Sequence, residues 1–266
     1  MDDLTYLKQE KDKPLFEDLL WSRPENRALA GRLLIIGGNV QGFRAPATAY
    51  SLATEAGVGS IRVLLPDSLR KLVEKHIDSA VFASSNGSGS FSRTALASSL
   101  EQASWADLVL LAGDFGRNSE TAILLETFIN KYSGPLVITG DTISALLTNT
   151  QLLVDRQDTL LALNLDNLQK LITNIKYPKA VISSISLLQL IYLLKELTTK
   201  FKFSVITNHK QQIIVAVNGN VSVTKIDGSD DGYSLKLASY SSTWWIQNLT
   251  KMFEAITTAI YELVQR

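Results

Sequence analysis

The chain has 266 residues, 45% of them hydrophobic and 20% charged, and its 26 Lys+Arg balance 26 Asp+Glu to a formal net charge of zero. That length suits one large α/β domain with a full core, and the balanced charge gives no reason to expect nucleic acid or an anionic membrane as a partner. With no cysteine and two histidines, His76 and His209, the sequence excludes disulfides, thiolate catalysis, the usual zinc sites and any histidine cluster.

Residues 1–28 are polar, carry Pro14 and Pro24, and read as a lead-in arm. Residues 29–266 read as a single domain, with no internal repeat and no linker rich in Pro, Gly or Ser. The opening Met1-Asp2-Asp3-Leu4 is acidic and has no apolar run behind it, unlike a secretory leader. The longest apolar stretch, 185–194, is broken by Ser186, Gln189 and Tyr192 and is too short to span a bilayer. A cytoplasmic protein is expected.

The core opens with Arg32-Leu33-Leu34-Ile35-Ile36, an apolar run stopped by Gly37-Gly38, which predicts a buried strand. A helix follows over 45–56, closed by Gly57 as a left-handed cap. The alternation repeats as a strand at 60–65, a helix over 66–76 with Pro66 in its first turn, and strands at 108–111 and 136–138 flanking a helix over 119–131. Glu120 and Lys131 sit at the ends of that helix where its dipole favours them. Strands alternating with helices imply a parallel sheet covered on both faces. Asn86-Gly87-Ser88-Gly89-Ser90 reads as a solvated connection, with an active-site lid as the alternative. Further on, the spacing predicts a helix within 180–200, a strand at 203–207, and a β-hairpin of 213–217 and 221–226. The hairpin turn is Asn218-Gly219, suited to the positive φ angles of a type I′ turn. The segment 227–232, Asp-Gly-Ser-Asp-Asp-Gly, reads as an acidic turn without calcium-loop spacing. Trp245, Leu249, Met252, Phe253, Ile256, Ile260 and Leu263 predict one long final helix, capped by Ser242 or Thr243.

Three strand ends carry candidate chemistry. Gly37-Gly38 would let a ligand approach the backbone outside a parallel sheet, although neither a dinucleotide fingerprint nor a P-loop is present. Gly113-Asp114-Phe115-Gly116-Arg117-Asn118 precedes a helix N-terminus, and Asp114 there would oppose an anion. Thr139-Gly140-Asp141 places a carboxylate at a strand end, as a ligand group or as a cap for a helix starting near Ile143.

The order of these pieces resembles the ADP/ATP-dependent NAD(P)H-hydrate dehydratases of the ribokinase-like superfamily. Residues 31–65 are similar to that family's G-R-V-L-V-I-G-G opening with its following small-residue helix and A-G-A-G. Residues 106–121 are similar to D-x-V-V-I-G-P-G-L-G-R-x-x-E-T, and 135–147 to P-L-V-L-D-A-D-A-L-N-L-L. The resemblance covers about residues 30–226. It implies a three-layer α/β/α fold with a mainly parallel central sheet and a C-terminal β-hairpin, ADP or ATP as cofactor, a hydrated NAD(P)H or nucleotide as small-molecule partner, and a homo-oligomer. It implies cofactor contacts at Gly37, Gly38, Ala45, Gly113, Asp114, Asn164, Asn208 and Lys210, and no metal ligands. The family's H-P-G-E motif falls on Asn164-Leu165-Asp166-Asn167, or in another register on Ser186-Leu187-Leu188-Gln189, and its L-K-G segment on Thr207-Asn208-His209-Lys210. Its catalytic G-G-T-G-D matches Ser241-Ser242-Thr243-Trp244, with Trp244 in place of the base. That implies a degenerate dehydratase with little activity that retains nucleotide or dinucleotide binding. The alternatives are an active dehydratase with a substitute base, for which Asp141 is the candidate, and a non-enzymatic interaction module with Trp244 plugging the old site. The missing Gly-Asp pair equally disfavours a sugar or vitamin kinase, and no other catalytic constellation is visible.

Overall fold

The computed structural model describes residues 6–75, 77–226 and 233–265, and the side chain of Asp141 also lies outside the described residues. In chain order the elements are β1 (Leu7–Gln9), α1 (Glu17–Trp21), β2 (Arg32–Gly37), α2 (Arg44–Glu55), β3 (Ser60–Pro66), α3 (Arg70–Val73), β4 (Ala80–Ala83), α4 (Leu96–Trp105), β5 (Leu108–Gly113), α5 (Ser119–Lys131) and β6 (Leu136–Thr139). The chain continues through α6 (Gly140–Leu146), α7 (Gln151–Val154), β7 (Thr159–Leu163), α8 (Leu165–Asn174), α9 (Leu187–Lys200), β8 (Ser204–His209), β9 (Gln212–Val217), β10 (Asn220–Lys225), α10 (Tyr233–Gln247) and α11 (Met252–Gln265).

The strands form one sheet in the order β1-β10-β9-β8-β7-β6-β5-β2-β3-β4. Strands β2 to β8 are mutually parallel, and β9 runs against both β8 and β10. The central strands are apolar at nearly every position because both faces are covered. Leu34, Ile36, Val109 and Leu111 point into a core closed by α4 to α9. Their neighbours Leu33, Ile35, Leu108 and Leu110 point into the opposite core, closed by α1 to α3, α10 and α11. No helix among the described residues is long and apolar enough to cross a membrane.

The expected three-layer architecture and the hairpin are present. Asn218 and Gly219 adopt φ of 48° and 79°, as a type I′ turn requires. Four readings of the sequence need correction. Within 1–28, Leu7–Gln9 is the edge strand of the sheet, parallel to β10. Gln9 is buried there, and its Nε2 donates to Thr224 Oγ1 (3.1 Å) and the Thr257 carbonyl (3.0 Å). The expected helix over 66–76 is a 3-10 turn, Asp67–Leu69, followed by the short α3, because Pro66 is the last residue of β3. His76 lies outside the described residues. The helix expected near Ile143 starts at Gly140, with Thr139 as its cap residue, so Asp141 is its second residue and not its cap. The single long final helix is two helices, α10 and α11, joined through Asn248 and Lys251. Ser242 and Thr243 are interior to α10 and donate back to the Ala238 and Ser239 carbonyls, so neither caps a helix start. The acidic turn read at 227–232 lies outside the described residues.

A ligand crevice at the switch point of the sheet

Strands β2 and β5 are neighbours, but β2 leads into α2 on one face and β5 into α5 on the other. Connections that leave adjacent strands for opposite faces open a crevice at the strand C-termini, the usual ligand position in such sheets. The two strand ends touch there. Gly38 N–H donates to the Gly113 carbonyl (2.9 Å), the register shifts between Ile36 and Gly37, and a Cβ on Gly37 would lie 2.4 Å from that same oxygen. Glycine is therefore required by the close approach of two backbones, whatever a ligand asks.

Asp114 follows, with φ of 59°, a left-handed position that Asp tolerates better than most residues. Its Oδ2 accepts from Ala45 N–H at 2.7 Å. Phe43, the cap residue of α2, supplies no side-chain bond, so Asp114 caps α2 from a neighbouring loop. The helix that follows it, α5, has its own cap, with Asn118 Oδ1 accepting from Glu120 N–H (2.8 Å). Asn39 completes the inner wall. Its Nδ2 donates to the Asp114 carbonyl (2.5 Å), and its Oδ1 accepts from Gln41 N–H (2.7 Å).

The loop at 86–90 is fastened on both sides. The Gly89 carbonyl accepts from Val40 N–H (3.0 Å) and the Ser68 hydroxyl (2.8 Å), and Asn118 Nδ2 donates to Ser88 Oγ (3.1 Å). Just beyond it, Arg93 N–H and the Ser92 hydroxyl donate to Glu120, holding that carboxyl below its usual range. Asn118 also borders a crevice of about 750 Å³, within the range of small-molecule sites. Asn39, Asp114, Gly116, Arg117, Asn118, Ser119 and Ser144 line it, with Phe115, Ala145 and Leu125 on its apolar side.

Gly37, Gly38, Ala45, Gly113 and Asp114 thus converge at one place. Asn164 and Asn208 stand at the ends of β7 and β8 on the same edge, two and three strands away, about 10 and 14 Å at the usual interstrand spacing. Asn164 Oδ1 caps α8 by accepting from Asn167 N–H (2.8 Å). Asn208 is buried. Lys210 Nζ donates to the Ile185 carbonyl (3.2 Å), and His209 Nε2 bonds the same oxygen at 2.8 Å. A carbonyl only accepts, so Nε2 carries the proton. Both side chains tie down the segment before α9. There Ser186 and Gln189 form a capping box, as expected of a helix start. Asn39, Ser119 and Ser144 were not singled out by the sequence, because small polar residues outside a motif carry no signal of their own.

Trp244 does not occupy this region. Its ring is fully buried, its Nε1 donates to Glu262 Oε2 (3.1 Å), and the Arg23 guanidinium lies 5.2 Å from its centroid while pairing with Glu262 Oε1 at 2.7 Å. Arg23 also bonds the Ala56 carbonyl, beyond the C-terminus of α2, and Gln247 reaches Gly57. These groups sit where β3 begins, at the edge of the sheet opposite the crevice. Trp244, read as standing in place of a catalytic base just before the final helix, thus lies inside α10 and not at a helix start.

No family model matches the chain. A ribokinase-like superfamily protein of Enterococcus faecalis V583 superposes with a TM-score of 0.69 at 14% identity, covering 97% of this chain and 86% of that one. The fold is ribokinase-like. An ADP/ATP-dependent NAD(P)H-hydrate dehydratase of Bacillus subtilis, co-crystallised with ATP and Mg2+, superposes with a TM-score of 0.60 at 10% identity, over 93% of this chain and 86% of that one. In sequence, the chain is 25% identical over 130 residues to the bifunctional NAD(P)H-hydrate repair enzyme of Moorella thermoacetica. That match spans 48% of this chain and 24% of the relative.

Proposed function

We propose that this ribokinase-like chain binds a nucleotide or dinucleotide in the crevice between Asn39, Asp114 and Ser144, as a relative of the NAD(P)H-hydrate dehydratases. The observation that carries this reading is a crevice of about 750 Å³ at the switch point, lined by amide and hydroxyl groups together with Phe115 and Leu125. Such a lining suits ribose hydroxyls and a flat ring. Little in the lining suits the phosphates of ADP or ATP. Arg117 is the cation of the lining, Asp114 already holds the first turn of α2, and Lys210 is committed to the Ile185 carbonyl. The test is thermal unfolding with and without ADP, ATP and NADPH. A ligand at about 100 times its Kd adds ~2.7 kcal/mol, which raises Tm by about 5 °C or more. No shift with any of the three rejects the proposal.

A second reading, retained turnover, is favoured by where α10 begins. Ile226 N–H donates to the Gln211 carbonyl at the crevice edge of the sheet, and α10 starts at Tyr233. The helix that follows the hairpin is therefore preceded by 227–232, which contains Asp230 and Asp231. The resemblance puts G-G-T-G-D immediately before such a helix, so Asp231 joins Asp141 as a candidate base. Loss of a general base lowers the rate by ~10²–10⁴-fold. In a hydrate-dehydration assay, Asp231→Asn should lower turnover by that factor, and Asp141→Ala serves as the comparison. An inactive wild-type chain that still binds nucleotide returns the degenerate reading to first place.

A further inference from the structure

We propose that Arg117 is the specificity-determining residue of the crevice, reading a single phosphoryl group, so that the ligand it selects is a nucleoside monophosphate and not a di- or triphosphate. The inference rests on the crevice being the nucleotide site and adds which phosphorylation state that site prefers. Charge is scarce there. Among the described residues of the lining, Arg117 is the one cation and Asp114 the one carboxylate, and the others are amides, hydroxyls, a glycine and apolar groups. Arg23 pairs with Glu262 and Arg32 with Asp107, whereas the exposed Arg117 has no ion pair among the described residues.

The backbone that carries this guanidinium is fastened on both sides. Gly116 lies against Ser90 and Asn39, where a Cβ would come 3.0 Å from the Ser90 hydroxyl. Asn118 caps Glu120 N–H and donates to Ser88. The other donors that a polyphosphate would need are already engaged. The Asn39 amide holds the Asp114 carbonyl, the Asn118 amide holds Ser88, the Thr121 hydroxyl donates to the Phe91 carbonyl (2.7 Å), and Lys210 is bonded to Ile185. One guanidinium matches one phosphoryl group through two parallel N–H···O bonds. Each further phosphoryl group adds negative charge with no second cation in the lining to meet it and with Asp114 in the same crevice. The Ser119 and Ser144 hydroxyls in the lining suit the uncharged part of the ligand.

The test is calorimetric titration of the chain with adenosine, AMP, ADP and ATP, the last two with and without Mg2+. AMP should bind about tenfold tighter than adenosine, the worth of a charge-assisted contact. ADP and ATP should bind no more than about threefold tighter than AMP, because the added charge meets no partner. In Arg117→Gln the advantage of AMP over adenosine should fall to about one, and Arg117→Lys, which keeps the charge without the planar fork, should keep part of it. Added NaCl should shrink that advantage in the wild type and leave it unaltered in Arg117→Gln. The side chain is exposed, so the ligand-free Tm of both variants should match the wild type. ADP or ATP binding about tenfold or more tighter than AMP, or an AMP advantage that survives Arg117→Gln, overturns the proposal and leaves the crevice as a nucleotide site. No binding of any of the four overturns both.

Discussion

Trp244→Ala should lower stability by about 3–5 kcal/mol, the usual cost of removing a large aromatic from a core, and leave any nucleotide-induced rise in Tm unchanged. The ring is fully buried between α10 and α11, carries the Arg23 guanidinium on its face, and donates to Glu262. Truncation would leave a cavity, and it would strip a donor from a carboxylate that Arg23 also holds. Urea denaturation measures the loss, and Trp244→Phe should recover much of it because the volume is largely kept. A Trp244→Ala chain that instead gains nucleotide affinity would mean that the indole fills a ligand site after all.

Gly37→Ala is the second large effect expected. A Cβ there would sit 2.4 Å from the Gly113 carbonyl oxygen, and backbone on both sides leaves nothing flexible to move. The β2 and β5 ends would have to part, breaking the Gly38 to Gly113 bond and displacing Asn39 and Asp114 with it. We expect a loss of about 3 kcal/mol, at the upper end for a single substitution, together with loss of ligand binding. Gly38→Ala, at φ of 90°, should cost less, about 1–2 kcal/mol of left-handed strain. Denaturation and ligand-dependent Tm on the two variants separate scaffold from site. Equal and small effects would contradict the close approach of the strand ends.

The parallel core was legible because its information is local. Arg32-Leu33-Leu34-Ile35-Ile36 followed by two glycines can be little else than a buried strand stopped at a strand end, and Asn118 through Lys131 carries its own cap and dipole partners. Leu7–Gln9 was not legible. Three residues with a lysine and a glutamine have no strand pattern, and only β10, more than two hundred residues later, gives them a ladder. The break between α10 and α11 was hidden for a related reason. The apolar spacing runs on through Leu249, which is exposed in the turn, and no glycine or proline marks the stop. That one missed turn put Ser242 and Thr243 at a helix start, where the fold has them inside α10. Within the site, Asp114 was visible as a charge that an anion would dislike. Its bond to Ala45, sixty-nine residues away, needed the fold.

The measurement that tests the crevice most directly is nucleotide-dependent stabilisation of the wild type beside Ser144→Trp. Ser144 is exposed on α6 at the crevice wall, so an indole there fills the space without disturbing the core. A rise in Tm of about 5 °C with saturating ADP, ATP or NADPH in the wild type, lost in Ser144→Trp while its ligand-free Tm is unchanged, is the predicted result. Stabilisation that persists in Ser144→Trp, or that never appears in the wild type, would place the ligand elsewhere or nowhere.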